Sequence, residues 1–218
     1  MSQIELLRRG IESLDRRMIK SAIARDDTIT YVAVDGIIAR GDLELYKWAQ
    51  AEDYTRRAGI CERAVECGQL EILKYAAKSG HNLDPGICEV AAAGGHIEIL
   101  KWLRENGCEW NSYTCYAAAC NGHLETLKWL VDSGCPCDSG IYLWSAVNGH
   151  IRIFEWARAK GYDWDSDACR WAAGNGQLEA LKWLVNSGCP WDVDACYYAP
   201  IVYPRIQEWI NDYVCSLP

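Results

Sequence analysis

Apolar residues recur along most of the chain at helical spacing, and the pattern itself recurs. From Leu178 to Val185, the positions Leu178, Leu181, Leu184 and Val185 fall on one side of a helix, while Glu179 and Lys182 fall on the other. The stretch from Leu124 to Val131 reads the same way. A glycine opens each such stretch, at Gly41, Gly68, Gly95, Gly122, Gly149 and Gly176, always 27 residues apart. The next position holds His96, His123 and His150, with Asp42, Gln69 and Gln177 in the other copies. Seven residues after the glycine stand Trp48, Tyr75, Trp102, Trp129, Trp156 and Trp183. A phase kept through six copies marks a repeat protein, and the remaining features take their meaning from that period.

Each repeat predicts two helices. In the copy starting at Asp165, the carboxylate suits an N-cap, because it can accept from the free N–H groups of the first turn. Asn111, Asp138 and Asp192 stand in the equivalent place, and Asp84 is followed by Pro85, suited to a first helical position. The first helix runs from Ala168 to Ala173 and stops at Gly174-Asn175-Gly176; its alanines let a second helix lie close. That second helix ends at Gly188. Two helices in one period leave about 9–10 residues each, too few to stand alone in water. Stability must come from stacking, so the expected fold is all-α, a solenoid of helix pairs. The Trp48 to Trp183 ladder is expected in the interfaces between repeats, at about 2–3 kcal/mol for each ring buried. Trp110, Trp164 and Trp191 sit in the links, where they would cover helix ends.

The ends depart from the period. Over residues 1–27, Ile4, Leu7, Ile11, Leu14, Met18 and Ala22 keep helical spacing among Arg8, Arg9, Arg16, Arg17 and Lys20. This segment predicts N-terminal capping helices, with a basic patch for acidic partners as the alternative. Six repeats then occupy 28–199. A C-terminal capping helix at 200–218 carries Ile206, Trp209, Ile210 and Tyr213 on one face, after Ala199-Pro200 and Tyr203-Pro204 replace the glycine turn.

Charge and cysteine usage narrow the function classes. A net charge of −8 argues against a phosphate-binding surface, so no nucleic acid is expected. The apolar runs fall well short of the roughly 20 residues that span a bilayer, and the charged N-terminus has no apolar signal core. The expected protein is soluble, intracellular and cytoplasmic. Of the twelve cysteines, Cys61, Cys88, Cys115, Cys169 and Cys196 share one phase, with Tyr142 in the missing slot. Cys108, Cys135 and Cys189 share another. Equivalent residues of stacked repeats stand about 8–10 Å apart, beyond disulfide reach, so the cysteines are expected reduced and buried. Cys135-Pro136-Cys137 reads as an exposed pair.

No catalytic residue, cofactor or metal site is expected, and the chain is read as a non-enzyme. His96, His123 and His150 share one slot, which suits side chains bonded to turn backbone. Cys115, Cys120 and His123 bracket a turn, but their spacing matches no zinc pattern.

With the two-helix unit laid out, the sequence resembles the ankyrin repeat. Cys115 stands at that family's buried leucine and Tyr116-Ala117-Ala118-Ala119 follow it. Cys120-Asn121 are the variable pair, Gly122-His123 the turn, Leu124 to Val131 the second helix, and Gly134-Cys135 the closing Gly-Ala. The likeness runs from residue 31 to about 199, and the Cys- and Trp-rich wording is most similar to short ankyrin-like repeats of giant DNA viruses. It departs in length. The family period is about 33 residues, and the shortfall lies where the family places its β-hairpin fingers. Tight links without fingers are therefore expected.

The resemblance implies a protein-interaction module that binds a protein partner on a concave face of first helices and turns. Its candidate contact residues are Arg40, Glu66, Asn121, Asn148 and Asn175 before the turns, with Ser112, Ser139 and Ser166 at first-helix starts. The asparagine row reads either as a peptide-backbone contact or as C-caps that favour the left-handed conformation. The expected state is a monomer, in host cytoplasm if the chain is viral. The alternative function is a structural or assembly protein that oligomerises through a cap or the tryptophan-bearing links.

Overall fold

A computed structural model of the chain describes residues 2–23, 28–55, 58–165, 167–192 and 203–216. Ser166, Cys196 and Ala199-Pro200 lie outside the described residues. The described residues form fifteen helices and no strand. They are grouped in two compact units, Met1–Ile87 with Glu98–Cys108, and Cys88–Ile97 with Glu109–Pro218.

The first unit opens with α1 (Gln3–Ser13) and α2 (Arg16–Ile23). The Ser2 hydroxyl accepts from the Glu5 N–H at 3.2 Å to start α1, which ends at Leu14 in the left-handed region (φ 58°). Asp15 then starts α2 by accepting from Arg17 and Met18 N–H groups at 2.9 and 3.2 Å. A side chain at Gly10 would meet Ile19 at 3.0 Å, so the glycine lets the two helices touch. α3 (Thr28–Arg40) buries Ala33, Val34, Ile37 and Ile38 completely, and α4 (Leu43–Ala51) buries Leu45, Tyr46 and Ala49. α5 (Ile60–Glu66), α6 (Leu70–Lys78) and most of α8 (Ile97–Glu105) complete this unit.

The second unit holds most of α7 (Ile87–Ala93), then α9 (Ser112–Cys120), α10 (Leu124–Asp132), α11 (Gly140–Val147) and α12 (Ile151–Ala159). It continues through α13 (Asp167–Gly174), α14 (Leu178–Asn186) and α15 (Pro204–Ser216). Odd-numbered helices of the repeats are the first members of each pair and bury small residues at i, i+3 and i+4, as in Cys115, Ala118 and Ala119. Their partners bury larger ones, as in Ile153, Phe154 and Ala157. Tyr142, standing in a cysteine slot, is wholly buried between Phe154 (ring centroids 6.1 Å) and Trp164 (5.0 Å). Burial pushes its hydroxyl up to about 12. In α15, Ile206 and Ile210 are buried, and Trp209 and Tyr213 close on Trp191 at 6.1 and 5.3 Å.

The caps fall where short polar side chains were read as starts. Asn111, Asp138 and Asp165 accept from the N–H groups of Tyr113, Gly140 and Asp167 at 2.8, 2.8 and 2.9 Å. The described residues of the links between α8 and α9, α10 and α11, and α12 and α13 carry no strand. Pro85 is a correction: it lies in a turn, because Gly86 is left-handed (φ 88°) and α7 cannot start before Ile87.

In four of the six repeats the residue after the turn glycine latches neighbouring turns, whereas the His96 Nε2 is buried and, among the described residues, has no hydrogen-bond partner. The His123 Nε2–H donates to the Ala93 carbonyl at 2.8 Å, and the His150 Nε2–H donates to the Cys120 carbonyl at 3.0 Å. Gln69 and Gln177 do the same with Ala39 and Val147 at 3.4 and 3.3 Å. At these four positions the slot supplies a donor of the right reach, while Asp42 in the first copy instead caps α4 by accepting from the Leu45 N–H at 2.8 Å. We expect His123→Ala to lower the unfolding free energy by about 1 kcal/mol, one net hydrogen bond. His123→Gln should keep most of it; urea melts of the two variants check both outcomes.

Four expectations need correction. The ladder rings Trp48, Trp102, Trp129, Trp156 and Trp183 are half-buried rather than buried. At 100° per residue, Trp129 lies a quarter-turn from Leu130, on the flank of the buried stripe. It meets the link ring of Trp110 at 5.8 Å, and Trp183 meets Trp164 at 6.2 Å. The cysteines are not all reduced: Cys115 and Cys137 form a disulfide across Cα atoms 6.0 Å apart. These two are out of phase, so the spacing argument for equivalent cysteines does not reach them. Cys135, next to that bridge, is buried and its thiol donates to the Asn111 carbonyl at 3.4 Å, so the pair is not an exposed one. Asn121 and Asn148, finally, are C-caps as one of the two readings has it, but no asparagine of the row is left-handed. Asn121 (φ −97°) and Asn148 (φ −113°) precede glycines at φ 76° and 73°, and glycine takes that conformation at lower cost.

Candidate functional site

In the second unit, first helices and the turns after them present a face unlike that of the second helices. On the second helices, Glu125 pairs with Lys128 at 2.8 Å and Glu179 with Lys182 at 3.0 Å. Their charges satisfy one another three residues apart along the helix, which makes a solvated surface. The first helices instead expose large aromatic rings: Tyr113 is 59% exposed, Trp144 38% and Trp171 44%.

These rings sit there for a local reason. α11 buries Ile141, Tyr142, Ser145 and Ala146, a stripe that leaves Trp144 on the opposite side. Trp171 stands one period later in α13, outside the buried stripe of Ala168, Cys169, Ala172 and Ala173. Tyr116 bridges two helices. Its ring meets Tyr113 edge-on at 5.7 Å and stacks on Trp144 at 6.2 Å with planes 21° apart. Its hydroxyl donates to the Asp138 carboxylate at 2.6 Å, and burial pushes that hydroxyl's pKa up. Together with Glu89, Cys120 and Asn121 these rings line an open groove of about 250 Å³.

The sequence candidates fall in several places. Asn121 lines the groove, and its Nδ2–H donates to the Ala117 carbonyl at 2.9 Å. Asn148 donates to the Cys120 carbonyl at 2.7 Å, so that carbonyl ties the end of α9 to two side chains of the next turn. Asn175 donates to the Trp171 carbonyl at 2.9 Å. Ser112 begins α9 and Ser139 precedes α11, where Asp138 rather than Ser139 supplies the capping oxygen. In the other unit, Arg40 is exposed and lines a cavity of about 310 Å³ with Ile4, Leu7 and Val32. Glu66 accepts from Arg63 at 2.8 Å. Ser166 lies outside the described residues. Tyr113, Tyr116, Trp144, Trp171 and Glu89 were not singled out from sequence. The available signal was an aromatic standing off the small-residue stripe of a first helix.

Among the described residues, no three His, Cys, Asp or Glu side chains are grouped to hold a metal ion. Burial pushes the Cys61 thiol up to about 11 and raises Cys120, which disfavours the thiolate. Cys189 departs from this: a hydrogen bond with Cys169 lowers it against the effect of burial. Among the described residues no helix is long and apolar enough to cross a membrane.

The comparisons with known proteins agree with this architecture. A family model described as ankyrin repeats (3 copies) matches residues 61–141 and 88–167. Among solved structures, the chain is similar to the crystal structure of the human ASB11 ankyrin repeat domain, at 19% identity and a TM-score of 0.53. That likeness covers 72% of this chain and 84% of the other. No curated protein matches the sequence. A strict helix-pair period, a glycine turn latched by His or Gln, and the matched repeat model lead to one assignment: this chain belongs to the ankyrin-repeat family.

Proposed function

We propose that the chain is a non-enzymatic protein-interaction module that binds a protein partner on the first-helix and turn face of its second unit. Ankyrin repeats are in general protein–protein interaction modules. The observation that supports this face is the contrast between the two sides of the helix pairs. The second helices α10 and α14 carry internally paired charges, while the first helices spend exposed surface on Tyr113, Trp144 and Trp171. Exposed aromatic rings are the residues from which interface hot spots are built. Asn121 and Ser112 flank them on α9 and its turn, and Ser139, Asn148 and Asn175 continue the face along the later repeats, with Ser166 proposed for the same role from its place in the sequence. Arg40 and Glu66 belong to the corresponding turns of the first unit. On this reading, residues 1–27 and 200–218 are the ends of the array, with six repeats between them over 28–199.

The test is partner capture by the whole chain from its native cell, followed by substitution. Tyr113→Ala with Trp171→Ala should remove captured protein. Glu125→Ala with Glu179→Ala, on the other face, should leave it. Loss with the second pair and not the first overturns the proposal. A chain that captures only itself supports the assembly reading instead.

A further inference from the structure

We propose that the groove between α9 and α11 is a subsite for an arginine side chain on a basic segment of the partner. This rests on the proposed interaction function and adds to it the chemistry of what is bound.

Three observations carry it. The groove is walled by aromatic faces and edges: Tyr113, Tyr116 and Trp144 form one connected set, with Tyr116 and Trp144 stacked at 6.2 Å. A guanidinium is planar, weakly hydrated and attracted to such faces, more so than an ammonium. The groove also contains a carboxylate with nothing cationic to hold it. Glu89 is half-buried, and among the described residues it makes no ion pair or hydrogen bond. In this respect it differs from Glu44, Glu71, Glu98, Glu125 and Glu179, each paired with the lysine three residues on. A half-buried carboxylate without a partner is the ordinary receptor for a guanidinium, which can donate two parallel N–H bonds to it.

The third observation is the field around the groove. The second unit contains fourteen acidic residues against seven basic ones, whereas the first contains sixteen against fifteen. Nearly all of the chain's excess negative charge therefore belongs to the unit that bears the groove. A positively charged segment is drawn to it, and an acidic segment or a nucleic acid is repelled. Asp138 adds to this locally, and its bond from the Tyr116 hydroxyl fixes the ring against which the guanidinium would lie. The asymmetry of the site also selects among basic residues. Lysine can satisfy Glu89, but it lacks the flat face that matches Trp144 and Tyr116.

The experiment uses the full chain and a short unstructured peptide of alternating arginine and glycine, titrated by calorimetry. Matched peptides carry citrulline or lysine in place of arginine. The arginine peptide should bind, the lysine peptide more weakly, and the citrulline peptide not measurably. Glu89→Gln, which keeps shape and removes one charge, should weaken arginine binding about tenfold. Glu125→Gln removes the same charge from a second helix and should leave binding within about twofold, because Glu125 is exposed, already paired with Lys128 and screened by salt. Equal losses from the two variants would reduce the effect to overall charge and overturn the subsite. So would equal binding of citrulline and arginine peptides, or no binding of either. If the subsite fails in this way while Tyr113→Ala with Trp171→Ala still abolishes partner capture, the interaction surface stands and only its arginine chemistry is lost. If partner capture survives those substitutions, the interaction surface itself is wrong.

Discussion

Phe154→Ala is expected to lower the unfolding free energy by about 3–5 kcal/mol, the usual cost of emptying a fully buried aromatic site. Phe154 is the only phenylalanine in the chain and is completely buried in α12. It stands 6.1 Å from the Tyr142 ring of its own helix pair and 5.5 Å from the Trp183 ring of the next. The side chain thus joins two repeats, and removing it weakens the interface on which both short pairs depend. Phe154→Leu keeps most of the volume and should cost less than about 1.5 kcal/mol. Urea denaturation followed by circular dichroism distinguishes the two. A similar small cost for both would mean that the ring is not part of the interface core.

Gly122→Ala should cost about 2–5 kcal/mol, and Gly134→Ala only about 1–2, although both glycines are left-handed. Gly122 has φ 76° and Gly134 φ 83°, so each alanine carries the same conformational penalty. The difference lies in what a methyl group would meet. At Gly134 nothing lies within 4 Å. At Gly122 it would stand 2.6 Å from the His150 ring, which is itself fixed by its bond to the Cys120 carbonyl. The alanine must therefore displace the latch that joins consecutive turns. Equal costs at the two positions would show that the latch contributes nothing beyond glycine's backbone freedom.

Much of the fold was legible because a repeat states its rules six times. The spacing of Gly122 and its equivalents, the Asn111 and Asp138 caps, and the small-residue stripe around Cys115 each follow from local chemistry. The histidine slot predicts bonding to turn backbone, and His123 and His150 do so, but His96, whose Nε2 is buried without a partner among the described residues, does not. What periodicity hides is whatever does not repeat. Cys137 has no equivalent in phase, so its bridge to Cys115 was invisible to an argument about equivalent positions. The tryptophan ladder misled in the opposite way. A residue can recur because it flanks the core, and Trp129 does so at a quarter-turn from Leu130. The aromatic groove is not visible in the period because Trp144 comes from a different slot of the next repeat, and only stacking brings it onto Tyr116, which meets Tyr113 three residues away within α9. Among the candidate residues, Asn121 alone lines that groove, and like Asn148 and Asn175 it donates its amide to a backbone carbonyl.

The most direct test of where this chain meets its partner is photo-crosslinking in the native cell. A photoreactive phenylalanine analogue replaces Tyr113 or Trp171 on the first helices, or Glu125 or Glu179 on the second. The expected result is a discrete protein adduct from positions 113 and 171 and none from 125 and 179. An adduct formed from 125 and 179 alone would contradict the account, because it would place the partner on the face whose charges are already satisfied.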